Sequence, residues 1–588
     1  ILQNGQAVES GIAGAYILPY GTYTYLVKAK GYAKVSGSLT VKEDSESTIT
    51  ITLTPSNAWD GETKAQPTGA GTESSPYQIE DGDQLAWLAD MVNSAASGAA
   101  FYAELTDDIN LGNNPWTPIG IDFHEFQGTF NGNGFTVSGL NVADAENAGL
   151  FGVVKGAEIK NLIVSGSVSG TSYAGGIAGK VRTAVSSFVN CGNEAKVTGA
   201  YAAGILGTNM VSNGECRIVN CYNAGKIVSN GSSSGRAGGI HAESSGKTSI
   251  IGCYNIGDVS SNGNAGGIYG RSGSFNGTVS FSYNSGKVKG ASEKVVGAIT
   301  SGSAGVGEAC YYLNGSAVDS STAAAVSSME LQQLAISDDF EHVNGRNKNY
   351  PVLKWQKLKE KAGEAVLAGN AEFQTEKVYM PSTAETDDEN TYRLSTPKLT
   401  WSPIKGADKY VVTIWRNGRV ETTSDVDDLS NFLYWEDEEA AKYLTAEQLS
   451  EYKTLADTTN APASAGSAAA HPKAAYLQKI FKEQGLTLPS HYELGTSFVT
   501  AIYDVTGTEY DCTSLFDELP EGVYYAAVAA MDADGDCKMP TLSTIEEEVV
   551  GWQNPYDRLK KVTGLAWDET KAVWNGKDNF TENEIYTI

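Results

Sequence analysis

The chain has 588 residues, 70 Asp+Glu against 42 Lys+Arg, and a formal net charge of −28. That balance excludes a general nucleic-acid binder, because phosphate contacts need clustered Lys and Arg. Only 19% of residues are charged, while Tyr numbers 30 and Trp 10, a folded and β-leaning composition in which no apolar run approaches the about 20 residues of a membrane-spanning helix.

The length suggests three or four domains, since one core rarely grows past about 250–300 residues. The N-terminal stretch reads as β-structure. A turn at Pro19 and Gly21 separates two strand patterns, the run 36–42 alternates, and 48–54 is strictly period-two. The phrases Gly21-Thr-Tyr-Thr-Tyr and Gly31-Tyr32 resemble the PEGA-like, or carboxypeptidase-regulatory-like, sandwich modules over about 55 residues. Ile1 is not a start methionine, and 583–588 ends inside a strand pattern. An internal piece of a longer chain is expected, so a missing targeting signal is uninformative about location.

A repeat occupies 148–316. Ala148-Gly-Leu-Phe-Gly, Ala174-Gly-Gly-Ile-Ala-Gly, Ala203-Gly-Ile-Leu-Gly, Ala237-Gly-Gly-Ile-His, Ala265-Gly-Gly-Ile-Tyr-Gly and Val296-Gly-Ala-Ile share one phrase. Its apolar residue falls at Leu150, Ile177, Ile205, Ile240, Ile268 and Ile299, in steps of 27, 28, 35, 28 and 31. A second phrase runs out of phase with it, at Asn190-Cys, Asn220-Cys-Tyr-Asn, Gly252-Cys-Tyr-Asn and Phe281-Ser-Tyr-Asn. Each repeat is too short and too polar to bury its own core. Stacked coils can bury a shared one, with like side chains in columns. Coils of this size predict a right-handed parallel β-helix.

Three columns follow from the alignment. Cys191, Cys221, Cys253 and Ser282 share one position, and Cys310 continues it. Metal or redox chemistry is one reading, and a stack of small buried side chains is the other. The lack of a Cys-x-x-Cys or a close Cys/His cluster favours the stack. Asn193, Asn223, Asn255 and Asn284 predict turn residues joined in an amide ladder. Tyr222, Tyr254 and Tyr283 would be core if they point inward, or an aromatic strip suited to sugar rings if they point outward; burial is favoured. Residues 148–316 hold 7 acids and 13 bases, a slightly basic solenoid in an acidic chain. Lys196, Lys226 and Lys287 align, with Asp258 interrupting and expected to pair with its neighbours. These lysines and tyrosines are the candidate ligand-binding residues: a basic strip attracts anionic glycans, although a solvated corner would look the same.

The flanks extend the pattern. Residues 76–79 read as a strand and 85–93 as an amphipathic helix able to plug the open end of the coils. Phe126-Gln-Gly-Thr-Phe-Asn-Gly-Asn-Gly-Phe-Thr-Val-Ser-Gly-Leu resembles the opening of bacterial GLUG-type β-helix domains, and Tyr350-Pro-Val-Leu-Lys-Trp resembles their closing phrase, over about 58–356. The resemblance implies an accessory or adhesive region of a large secreted or wall-attached bacterial protein.

The C-terminal third, 357–588, carries 40 acids and 21 bases. Residues 399–418 resemble strands B and C of a fibronectin type III module, and 522–535 its strand F. An insert at about 430–495 departs from that pattern, with helices predicted at 436–456 and 473–484. Residues 562–574 resemble the opening of a second such module. Cys512 and Cys537 are left open as a pair.

No catalytic motif emerges. Asp532-Ala-Asp-Gly-Asp resembles an EF-hand start, but its Gly is misplaced and Ser543 stands where a bidentate Glu belongs, so a hairpin turn is expected. His124, His241, His342, His471 and His491 lack ligand spacing and read as surface residues. The acids of the repeats are scattered singly. The expectation is therefore an all-β chain: a PEGA-like sandwich (1–56), a β-helix with a capping helix (57–356), a fibronectin-like sandwich with a small helical insert (357–550), and the start of another (551–588). The expected function is non-catalytic, as an extracellular bacterial surface segment that binds glycans or proteins. A stalk, surface-layer or filament subunit is the second version. The accessory region of a polysaccharide-active β-helix enzyme, or such an enzyme itself and then sensitive to mutation of Asp258 or Glu243, is the third. No cofactor, metal, nucleic acid or membrane insertion is expected within 1–588.

Overall fold

In a computed structural model of the chain, the described residues run through 57–359 apart from 97, 213, 273–276, 293–295, 302–304 and 318–322. Before them 2–3, 6–7, 18–27, 35–42 and 51–52 are described; after them 360–361, 365–369, 371–379, 392–423, 426–427, 429–432, 435, 437–455, 471–488, 490–516, 519, 522–532, 535, 537–540, 550–554, 563–568 and 571–575. The chain divides into two compact units, Ile1–Lys359 and Glu360–Ile588.

At the N-terminus, Gly21–Val27 and Val35–Val41 pair antiparallel, with Tyr23 buried and its hydroxyl donating to the Pro19 carbonyl. The strand predicted at 48–54 lies outside the described residues except for Ile51 and Thr52, which are not in a strand.

The repeat winds as a parallel β-helix. Phe130 pairs in register with Ile159, Ile159 with Phe188, Phe188 with Ile218, Ile218 with Ile250, and Ile250 with Val279. Residues about thirty apart are thus neighbours one strand spacing (about 4.8 Å) apart. All of these side chains are buried in one continuous core. Leu150, Ile177, Ile205, Ile240, Ile268 and Ile299 form another fully buried column, linked from coil to coil by backbone hydrogen bonds such as Ile205 N–H to the Ile240 carbonyl and Ile240 N–H to the Ile268 carbonyl. Helix Gly82–Ser94 starts at Asp81, whose carboxylate accepts from the Gln84 N–H. It buries Leu85, Leu88 and Val92 in the same core as the coils, as expected of an end plug.

The two repeat phrases meet inside the coil. The Asn193 amide donates to Asn223 Oδ1, Asn223 to Asn255 and Asn255 to Asn284, each at 2.7 Å, and all four side chains are fully buried. Each also holds the carbonyl two residues on; Asn255 holds that of Gly257 at 2.8 Å. The ladder lies against the glycine corner. A Cβ on Gly239 would stand 2.5 Å from Asn255 Cγ and 2.0 Å from the Gly267 carbonyl oxygen. Gly176, Gly204 and Gly267 meet Asn193, Asn223 and Asn284 in the same way. Glycine is required here by lack of space.

In the second unit, Glu372–Tyr379, Tyr392–Thr400 and Glu509–Asp511 form one antiparallel sheet. A second sheet has the order Ser490–Thr506, Lys409–Thr423, Gly522–Ala530, Val550–Asn554. Between Lys409–Thr423 and Ser490–Thr506, helices Ala446–Thr454 and Pro472–Gln484 bury Tyr452, Leu477, Ile480 and Phe481 in a small core of their own. The Gly535 N–H closes a turn onto the Asp532 carbonyl with φ +81°, while the residues between them lie outside those described.

Candidate functional site

The structure separates the two sets of sequence candidates. Cys221 and Tyr222 are consecutive in an extended run, so their side chains leave opposite faces. The cysteines enter the coil interior; the tyrosines leave it. The outward column is nevertheless covered. Val326, on the last strand paired to the coils, and Leu331, Ile336, Phe340, Tyr350 and Leu353 from the segment after it pack with Tyr222, Tyr254 and Tyr283 in a second apolar core. Tyr254 stacks between Tyr222 and Tyr283 at centroid distances of 5.4 and 5.2 Å.

Their hydroxyls are also committed. Tyr222 donates to Glu194 Oε1 (2.8 Å), Tyr254 to Gln356 Oε1 (3.0 Å) and Tyr283 to the Pro351 carbonyl (2.6 Å), and burial raises the pKa of all three. The candidate sugar-binding tyrosines are thus corrected: no ring face remains for a ligand. The closing phrase 350–355 is the reason, since the Trp355 indole also reaches back to the Asn220 carbonyl at 2.8 Å.

The lysines are placed differently. Val197, Ile227, Val259 and Val288 pair in register, so Lys196, Lys226, Asp258 and Lys287 occupy successive coils, and all four are exposed. Asp258 was expected to pair with the neighbouring ammonium groups; its carboxylate accepts the backbone N–H of Lys287 at 3.2 Å.

A second outward ladder was not read from the sequence. Tyr173, Tyr201, Arg236 and Asn264 are paired in register. Tyr173 stacks on Tyr201 at 5.1 Å, and the Arg236 guanidinium lies 5.5 Å from the Tyr201 centroid. Arg236 pairs with Glu243, which stands in register with the exposed Arg271. Nearby, Asp122 holds Lys180 (3.1 Å) and Arg182 (3.3 Å), and Arg182 also reaches Glu125 (3.2 Å). The carboxylate of Glu243 is thus engaged by a guanidinium. The signal for this ladder is present only once the coil register is known.

His241 is a correction. Its register places it in the inward column Phe151, Ala178, Leu206, His241, Tyr269, so it is fully buried. Its ring stacks on Tyr269 at 5.1 Å, Nδ1 pairs with the Leu206 carbonyl at 2.8 Å, and Nε2 lacks a hydrogen-bond partner. Burial pushes its pKa down to about 4. The unfolded chain, at about 6.5, therefore binds the proton first. Stability is full above pH 6.5 and falls on acidification toward pH 4, by about 3 kcal/mol. Denaturant melts across this range should show that loss, and His241→Leu should flatten the pH dependence.

All seven cysteines are buried, and burial pushes the Cys216 and Cys512 thiols up to about 12. Cys512 contacts the Tyr510 carbonyl, whereas Cys537 packs with Val411, Ala501 and Met531. Among the described residues no group of three His, Cys, Asp or Glu side chains is placed to hold a metal, and no helix is long and apolar enough to cross a membrane.

No family model matches the chain. Over 107 residues it is 35% identical to a "Putative Gly-rich membrane protein" of Evansella cellulosilytica, a match spanning 17% of this chain and 12% of that protein. It is also similar to a solved structure described as a "putative immunoglobulin A1 protease" from Bacteroides ovatus, with TM-score 0.43 and 25% identity, covering 49% of this chain and 94% of that one.

Proposed function

We propose that this chain is a non-catalytic segment of a bacterial cell-surface protein whose β-helix binds anionic glycans along its exposed lysine row. The observation that carries the reading is the placement of Lys196, Lys226 and Lys287 at one register position, within residues 148–316, which hold 13 bases against 7 acids. A polyanion would meet three exposed ammonium groups on a regular backbone there, with the intervening Asp258 carboxylate turned to a backbone N–H.

The other chemically capable groups support a binding role. The thiols and His241 are buried, and Glu243 is engaged by Arg236. The finer assignment to GLUG-type, PEGA-like and fibronectin type III-like modules agrees with the parallel coils, the N-terminal hairpin, and the three- and four-stranded sheets of the second unit. The name of the Evansella relative, a membrane protein, agrees with a place at the cell envelope.

The test is a glycan array probed with the full chain. Sulfated or uronic-acid glycans should be retained, with binding that weakens steeply between ~0.05 and ~0.5 M salt. Replacing the three lysines together by glutamate should weaken it about ten-fold or more. Retention unaffected by both salt and the triple substitution would refute the reading.

A further inference from the structure

The lysine row has an internal pattern. The Val197, Ile227 and Val259 N–H groups donate to the carbonyls of Lys226, Asp258 and Lys287, at 3.0, 2.8 and 2.9 Å. Lys196, Lys226, Asp258 and Lys287 therefore follow one another at single coil spacings of about 4.8 Å. Charge along the solenoid axis runs positive, positive, negative, positive.

The base of the row is fixed. Gly225, Gly257 and Gly286 each stand one residue before a member of it. A Cβ on any of them would lie 2.0–2.1 Å from a carbonyl oxygen of the preceding coil. Coils packed this closely hold the four side chains in register. Asp258 Oδ1 also accepts the Lys287 N–H at 3.2 Å, so its negative charge lies against the backbone of the next coil.

The lysines differ in what surrounds them. Glu194, also exposed, stands two residues before Lys196 and accepts the Tyr222 hydroxyl. Ala224 and Ser285 hold the equivalent places before Lys226 and Lys287. Lys289, exposed and in register with Ser260, stands two residues after Lys287. Positive charge is therefore least offset at Lys226 and at Lys287. These two are two coils apart, with Asp258 between them.

An extended glycan advances by about one coil spacing per sugar. Laid along the axis, it sets successive sugars over successive members of the row. Acids over Lys226 and Lys287 meet ammonium groups. An acid on the sugar between them meets the Asp258 carboxylate, and like charges in contact repel. Resting on the reading of the lysine row as an anionic-glycan site, we propose that Asp258 determines its specificity. It selects a linear glycan that carries an acid on alternate sugars, with a neutral sugar over Asp258.

Calorimetry on the full chain tests this with two oligosaccharides of equal length. One is from hyaluronan, with a carboxylate on alternate sugars, and the other from polygalacturonate, with a carboxylate on every sugar. The parent should bind the hyaluronan oligosaccharide at least as tightly, although it carries half as many carboxylates; net charge alone dictates the reverse. Asp258→Asn keeps an acceptor for the Lys287 N–H. It should shift the ratio of the two affinities toward polygalacturonate about five-fold, the effect of one unit-charge repulsion at contact in water. Asp258→Lys should shift it further. The side chain is exposed, so both variants should keep the parent's thermal transition. Tighter binding of polygalacturonate by the parent, or a ratio unchanged in both variants, would overturn the proposal. If replacing Lys196, Lys226 and Lys287 by glutamate still abolishes binding in that case, the lysine row stands as the site and only the role of Asp258 falls. Binding that survives the triple replacement, or no binding of either oligosaccharide by the parent, removes both.

Discussion

Gly239→Ala is expected to prevent the β-helix from folding. The added methyl would stand 2.0 Å from the Gly267 carbonyl oxygen and 2.5 Å from Asn255 Cγ, separations that no side-chain rotation relieves because one neighbour is backbone. The Gly239 N–H also donates to the Gly266 carbonyl, so moving the corner aside breaks a link between coils. Overpacking a tight core commonly costs about 1–3 kcal/mol. A clash with backbone in a stack where each coil supports the next exceeds that range. The measurement is calorimetry and limited proteolysis of the full chain, with Gly369→Ala as control, since nothing lies within 4 Å of a methyl there. Loss of the β-helix transition in the first variant and its retention in the second is the expected pair; a parent-like melt for Gly239→Ala would contradict the packing described.

Asn255→Ala should destabilise the same region by on the order of 4 kcal/mol. The fully buried amide accepts from Asn223 and donates both to Asn284 Oδ1 and to the Gly257 carbonyl. Truncation leaves a donor and two acceptors at fully buried positions, and each orphaned group costs about 1–3 kcal/mol. Asn255→Asp is a sharper probe. The shape is kept, but an ionised carboxylate cannot donate, and it would face Asn284 Oδ1 at the ladder's 2.7 Å spacing. Hydrogen exchange should locate the weakening in the coils around 220–290. An effect below about 1 kcal/mol for Asn255→Ala would mean that the ladder is not coupled as its geometry implies.

The coil stack was legible because vertical neighbours recur at a nearly constant interval. Once Cys191, Cys221 and Cys253 are aligned, the whole column follows: in the structure the backbone N–H groups of Cys191, Cys221 and Cys253 donate to Cys221 Sγ, Cys253 Sγ and Ser282 Oγ one coil on, and Ser282 pairs in register with Cys310. The amide ladder was legible for the same reason. The capping helix declared itself by its apolar stripe, while the cap at Asp81 is seen only in the structure.

Other features carried no such periodicity. The tyrosines point away from the coil, as an outward reading would have it, yet they are buried because a segment much later in the chain lies across them, 68 residues on at the Tyr283 contact and 102 at the Tyr254 contact. The glycine phrase and the asparagine phrase read as separate repeats, and only their folding together shows that one lacks a side chain so that the other can keep its own. His241 stands in the corner phrase directly after Ile240, and its inward direction depends on the register with Leu206 and Tyr269. A cavity lined by Trp59, Trp116 and the cap helix joins residues 57 positions apart with a helix that neither belongs to.

The amino-acid sequence by itself determined that this protein winds as a parallel β-helix between sandwiches, because strand pairing one coil apart turns a linear interval directly into contact. The tertiary structure alone decided which outward side chains stay exposed, which buried groups lack partners, and where a cavity opens. Those outcomes depend on segments that pack at no fixed separation along the chain, so no local spacing encodes them.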